Sequence, residues 1–238
     1  MSDQPALLTI ATRHRGPASS GNGGWTAGAL AAFLSPGPAH VVLRTPPPLE
    51  VPLDVVRDDD GAVTASRGDV LVGRAAPAAE APGPVEPVDA ATARDAETRY
   101  SGLTSHPFPS CFSCGTDRAP GDGLRIFPGR VAEDAGGRVR VAATWTPGTD
   151  VDLPTTWAAL DCVGGWAGDL EERLMVLGSM SADVLDLPRA GEAHVVVGGA
   201  RGTDGRKTFT ASSLYAGDGR LLATAAHVWF AVDPKDFA

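Results

Sequence analysis

The stretch LGSMSADVLDLPRAGEAHVVVGGARGTDGRKTFTASSLYAGDGRLLATAAHVWFAV, residues 177–232, decides the architecture. It divides into extended runs at Met180–Leu185, His194–Arg201, Arg206–Tyr215 and Leu221–Val232. The last three are rich in β-branched and aromatic residues, which suit a pleated, half-buried surface. Asp204-Gly205 and Asp218-Gly219 separate them, and glycine there supplies the positive φ of a tight hairpin turn. The reading is an antiparallel meander.

Moving outward, Thr155–Leu174 is a helix candidate that carries Gly164-Gly165-Trp166. Arg138–Trp145, before it, alternates as a strand with one buried face does. The same order occurs nearer the start: strand Leu7–Thr12, a Gly-rich turn Gly21-Asn22-Gly23-Gly24-Trp25, and helix Thr26–Leu34. Extended runs follow at His40–Arg44, Leu49–Arg57, Ala62–Ser66 and Asp69–Arg74, with a turn at Asp58-Asp59-Asp60-Gly61. The shared landmark is Gly-Gly-Trp, at residues 23–25 and again at 164–166. Element order and motif together predict a duplicated α+β unit. In each half a helix covers the apolar face of an antiparallel sheet, and the sheets pair edge to edge. The expected divisions are 1–76, a linker or covering strap with a cysteine-containing loop at 77–137, and 138–238. Residues 77–98 hold no sustained period of 2 or 3.6.

Bulk properties exclude several classes. The 238 residues are 43% hydrophobic, enough for a packed core. Net charge is −9 and only two lysines occur, Lys207 and Lys235, so nothing attracts a nucleic acid backbone. No run of 18 apolar residues exists to span a membrane. Met1–Gln4 lacks the basic-then-apolar plan of a secretory signal, so a cytoplasmic location is expected. Three cysteines do not make a disulfide framework. HExxH, GxxxxGK[ST], GxSxG and a strand-borne GxGxxG are all missing, which argues against metalloprotease, P-loop, α/β-hydrolase and dinucleotide-binding readings.

Residues 21–34, 155–170 and above all 177–232 resemble the hotdog fold in its fused, double form, in the acyl-CoA thioesterase (TesB/PaaI-like) superfamily. The likeness covers about 7–76 and 138–232. It implies a long central helix wrapped by an antiparallel sheet in each half, and a site between the halves. There the start of one helix donates N–H groups to a thioester oxygen, and a carboxylate from the facing helix activates water. The acyl chain or pantetheine arm would lie along the interface. It also implies an acyl thioester as small-molecule partner and further pairing into a homo-oligomer. Coenzyme A would enter as part of the substrate, with no cofactor required.

Residue roles follow from that likeness. Gly23 and Gly24, at a helix start, are the expected oxyanion donors, since free N–H groups there point at developing negative charge. Several family members place His before the glycine pair, where this chain has Asn22, an amide that can hold a ligand but not transfer a proton. Asp161, among apolar neighbours, matches the family's catalytic acid in the second helix. Glu172, seven residues after Gly165, is its rival, although it sits in a charged run. Gly164 and Gly165 read as packing residues. Thr208, Thr210 and Ser212 share one strand face and read as solvent-facing, or as holders of the attacking water. Cys162 reads as a small buried hydrophobe.

The motif Cys111-Phe112-Ser113-Cys114-Gly115 lies outside the repeat. It is open to three readings: a loop with free thiols, a redox pair, or a zinc site completed by His106. Arg118 or Arg125 could meet the nucleotide phosphates of coenzyme A, although the spacing does not demand it. The leading expectation is hydrolysis of an acyl-CoA to free acid and coenzyme A. The alternatives are a non-catalytic acyl-CoA or lipid binder, and an enoyl-CoA hydratase-like enzyme.

Overall fold

A computed structural model describes residues 6–233 and Lys235. Met1–Gln4, where a signal segment was not expected, lies outside these. The first half holds β1 (Ala6–Thr9), α1 (Gly23–Ala31), β2 (Ala39–Leu43), β3 (Pro52–Arg57), β4 (Val63–Arg67) and β5 (Val70–Pro77). A middle segment adds α2 (Ala90–Glu97) and β6 (Gly129–Val131). The rest comprises β7 (Arg140–Trp145), α3 (Leu153–Ala167), β8 (Met175–Val184), β9 (His194–Asp204), β10 (Lys207–Ala216) and β11 (Leu221–Ala231).

These strands form one 11-stranded sheet in the order β1-β3-β4-β5-β2-β8-β11-β10-β9-β7-β6. The meander read from residues 177–232 is present, with Gly205 at φ 55° and Gly219 at φ 85° in its two tight turns. The two runs of strands meet at the antiparallel β2–β8 pair, from Ala39 opposite Ala182 to Val42 opposite Ser179. An edge that would otherwise be open is thereby paired.

Both central helices are enclosed. Every residue of α3 from Thr155 to Ala167 is buried, as are seven of the nine in α1. Both are apolar almost all round, as a helix packed on every side must be. One continuous core joins Ile10, Leu30, Val41 and Leu53 from the first half to Leu160, Val163, Met180 and Leu214 from the second.

Several expectations need correction. The two Gly-Gly-Trp triplets are not equivalent. Gly23-Gly24 opens α1, whereas α3 begins thirteen residues before Trp166 and Gly164-Gly165 lies in its last turns. What the two helices share is a side-chain N-cap. Asn22 accepts from Trp25 N–H and Asp152 from Thr155 N–H, both at 2.8 Å. Residues 77–98, read as without a helical period, contain the helix α2 at Ala90–Glu97. Val85, Ala93 and neighbours cover the sheet's other face over Val195, Val197 and Tyr215, and β6 extends the sheet beyond β7. Thr208, Thr210 and Ser212 are buried and do not face solvent. Ser212 Oγ donates to Leu160 O of α3 at 2.8 Å, and Thr210 Oγ1 accepts from Trp229 Nε1 at 3.0 Å. Their face looks onto the helix.

Candidate active site

The site begins with a close helix crossing. A Cβ added at Gly24 would lie 2.3 Å from Asp161 Cβ, and one at Gly28 2.7 Å from Trp157 Cβ. Glycine at both positions lets α1 lie directly on α3. The crossing carries the start of α1 to the only carboxylate of α3. Asp161 Oδ2 accepts from Gly24 N at 2.9 Å and from Asn22 Nδ2 at 3.1 Å. Its other oxygen, Oδ1, is buried and has no partner among the described residues.

Asp161 is 2% exposed. Burial pushes its carboxyl up to about 7, a thiolate at Cys111 adds to the rise, and the Gly24 and Asn22 hydrogen bonds oppose it. Asn22 holds three things together. Its Oδ1 caps α1, its Nδ2 meets the carboxylate, and the same amide lies 3.7 Å from Cys111 Sγ and 3.8 Å from Cys162 Sγ. Hydrogen bonds from the Cys114 and Cys162 thiols pull Cys111 well below the ordinary thiol range. Cys162 is pushed up chiefly by that same contact with Cys111, and Cys114 chiefly by burial.

These groups stand on the wall of a cavity of about 530 Å³, within the range of small-molecule sites. Gly23, Asn22, Asp161 and Cys162 line one side, and Leu177 of β8 and Trp229 of β11 line another. The cavity therefore lies where the two runs of strands meet.

The sequence matches no family model and no curated protein. Solved structures match over nearly the whole chain. A conserved protein of Alicyclobacillus acidocaldarius described as having a hot dog fold superposes with TM-score 0.65 at 14% identity, covering 98% of this chain and 95% of that one. The chain adopts the hotdog fold. Two further solved structures match as widely. The tesB protein of Mycobacterium avium subs paratuberculosis gives TM-score 0.63 at 13% identity over 97% and 94% of the two chains. Acyl-CoA thioesterase II TesB2 of Mycobacterium marinum gives 0.61 at 11% over 97% and 94%.

On this hotdog scaffold the predicted residues separate into two groups. Asn22, Gly23, Gly24 and Asp161 come together. However, the expected gap between the Gly24 amide and the carboxylate is closed by a hydrogen bond, and the cavity opens beside them. Gly24 N–H is thus occupied. Gly23 N–H, the first of the helix, has no partner among the described residues, and Gly23 lines the cavity. Glu172 sits exposed in the turn after α3, away from the cavity lining. Arg118 does not reach the cavity. Its buried guanidinium holds its own loop through Ser110 O and Asp122. Arg125 donates to Arg118 O and stacks over Phe127 at 5.0 Å. The cations on the cavity wall are instead Arg44 and Lys207, both exposed. Their positions became visible only once the sheet was assembled. His106 is turned toward Cys114 O, and the third sulfur beside Cys111 and Cys114 is Cys162. The one available signal was that Cys162 directly follows Asp161.

Proposed function

We propose that this chain is a double hotdog, two fused units on one sheet, that hydrolyses an acyl-CoA thioester to a free acid and coenzyme A. One observation carries the reading: a carboxylate anchored by one oxygen at the start of the opposing helix, its second oxygen unpartnered, on the wall of a cavity between the halves. Oδ1 of Asp161 accepts a hydrogen bond from water and takes its proton as the water attacks the thioester carbonyl. A base whose affinity for protons lies near neutrality suits that task. Charge gathers on the carbonyl oxygen, where the Gly23 N–H and the positive end of α1 stabilise it. The intermediate collapses by breaking the C–S bond, the proton held on Asp161 passes to the departing coenzyme A sulfur, and the acid product keeps both the carbonyl oxygen and the oxygen from water. Arg44 and Lys207 at the rim are suited to meet its phosphates, in place of Arg118 and Arg125. The thioesterase names of the fold neighbours support the same reading.

The test is release of free thiol from a panel of acyl-CoAs by the chain and by Asp161→Asn. The substitution removes the base and keeps the shape. It is expected to lower kcat by about 10²-fold or more, the usual worth of a positioned base. Equal rates in two folded proteins remove Asp161 from the mechanism. Tight acyl-CoA binding with no thiol release from either protein instead supports a binding protein, a reading favoured by the occupied Gly24 N–H and by an amide at position 22.

A further inference from the structure

The chain's three cysteines lie together, although two come from the loop at 106–117 and one from α3. Their sulfurs are all within 4.8 Å of one another, and Cys111 Sγ is 3.6 Å from Cys162 Sγ. All three are free and buried.

The loop around them is built for more than filling space. Gly115 N–H donates to Cys111 O at 2.9 Å. A Cβ at Gly115 would lie 2.5 Å from Cys111 O and 2.6 Å from Cys111 N, so the chain folds back on its first cysteine only with glycine there. The Asn22 amide Nδ2 lies 3.7 Å from Cys111 Sγ and 3.8 Å from Cys162 Sγ. Two N–H contacts from one amide thus reach sulfur, and donors of this kind favour thiolate over thiol. A tetrahedral zinc ion with Zn–S bonds of about 2.3 Å needs sulfurs about 3.8 Å apart. The Cys111–Cys162 pair, at 3.6 Å, stands close to that spacing, and no pair of the three is more than 4.8 Å apart.

We propose that Cys111, Cys114 and Cys162 bind a zinc ion through three thiolates, with the fourth coordination position toward the cavity that all three line. Three thiolates and a divalent cation leave one net negative charge, which faces the Asn22 amide. His106 is not a ligand. Its Nδ1 accepts from Phe108 N–H at 3.0 Å, and its Nε2 lies 3.1 Å from Cys114 O. The ion would tie the cysteine loop to α3 beside Asp161. The fourth position would take water or a small thiol. This proposal does not depend on hydrolysis, because binding is read without substrate.

The test is titration of the reduced, metal-stripped full chain with Co²⁺ as a coloured stand-in, followed by displacement with Zn²⁺. One Co²⁺ per chain is expected, with tetrahedral absorption and a strong thiolate-to-cobalt band that Zn²⁺ abolishes. Cys162→Ser should reduce that band by about a third, one thiolate of three, and weaken binding. His106→Ala should change neither. A folded wild-type chain without the band overturns the site, as does a full band in Cys162→Ser or a lost band in His106→Ala. Should Cys162→Ser fail to fold, X-ray absorption on the zinc-loaded wild type decides. Three sulfur neighbours support the proposal and any other number overturns it.

Discussion

Asn22 shows how one residue can serve stability and chemistry through different atoms. Its Oδ1 caps α1 and its Nδ2 holds the Asp161 carboxylate. The two roles can be separated. Asn22→Ala loses both, and the lost cap alone costs about 1 kcal/mol. Asn22→Ser restores a capping oxygen but is too short to reach Asp161 as the amide does. Its melting temperature should therefore stay close to wild type, while thiol release falls. If Asn22→Ser keeps full activity, the amide–carboxylate bond has no part in catalysis. The rim cations allow a second separation. Arg44 and Lys207 are exposed and lie on the cavity wall, apart from the carboxylate. Arg44→Ala and Lys207→Ala should raise KM for acyl-CoA with little change in kcat. The effect should shrink as salt rises, because exposed charges are screened within about 10 Å at 0.1 M. A loss confined to kcat would contradict phosphate contact there.

The crossing of α1 and α3 decides where those residues meet. Gly24→Ala would drive a methyl group into Asp161 Cβ, and overpacking of this kind costs about 1–3 kcal/mol. The variant should melt earlier and release thiol more slowly, because the helices must part and the Gly24–Asp161 bond lengthens. Beneath α3, His227 gives a pH prediction. Burial lowers its imidazole from 6.5 to about 4. The unfolded chain thus binds a proton between those values that the folded chain refuses. This contribution to stability is complete above about pH 6.5 and is lost as pH falls toward 4, amounting to about 3 kcal/mol at most. His227→Gln should flatten the acid limb of stability measured by urea unfolding across that window. The same elements show what the sequence could tell. The meander was legible because its alternation and Asp-Gly turns are local. The start of α3 was not, because Leu153-Pro154 reads as loop unless Asp152 is recognised as a cap. The site was half legible. Asp161 stood out as a charge among apolar neighbours. Cys162 carried no signal beyond its place after Asp161, since its sulfur meets Cys111 only through a contact 51 residues apart. The burial of Thr208, Thr210 and Ser212 was hidden for a related reason. They alternate as solvent-facing residues do, and only α3 above them makes that face interior.

At the scale of the molecule, the two halves share their structure too fully to stand alone. The core runs without a break from Ile10 and Leu53 to Val163 and Leu214, and β2 pairs with β8 across the middle of the sheet. Severing the chain would expose the paired edge of β8 and uncover Trp157 where Gly28 now lies against it. It would also strip the strap from Val195 and Val197. A half carrying that much unpaired edge and bare apolar surface lacks a compact state of its own. Intact, the chain should therefore unfold as one cooperative unit despite its two helices. Far-ultraviolet circular dichroism and tryptophan fluorescence, followed through the same urea series, should trace coincident transitions with a common midpoint. Trp25 reports on the first half, and Trp145, Trp157, Trp166 and Trp229 on the second. Replacing Trp25 by Phe leaves fluorescence to the second half alone, and that midpoint should still match the circular dichroism. Separate midpoints would mean that each half holds its own core, and a site assembled between them would then have no rigid frame.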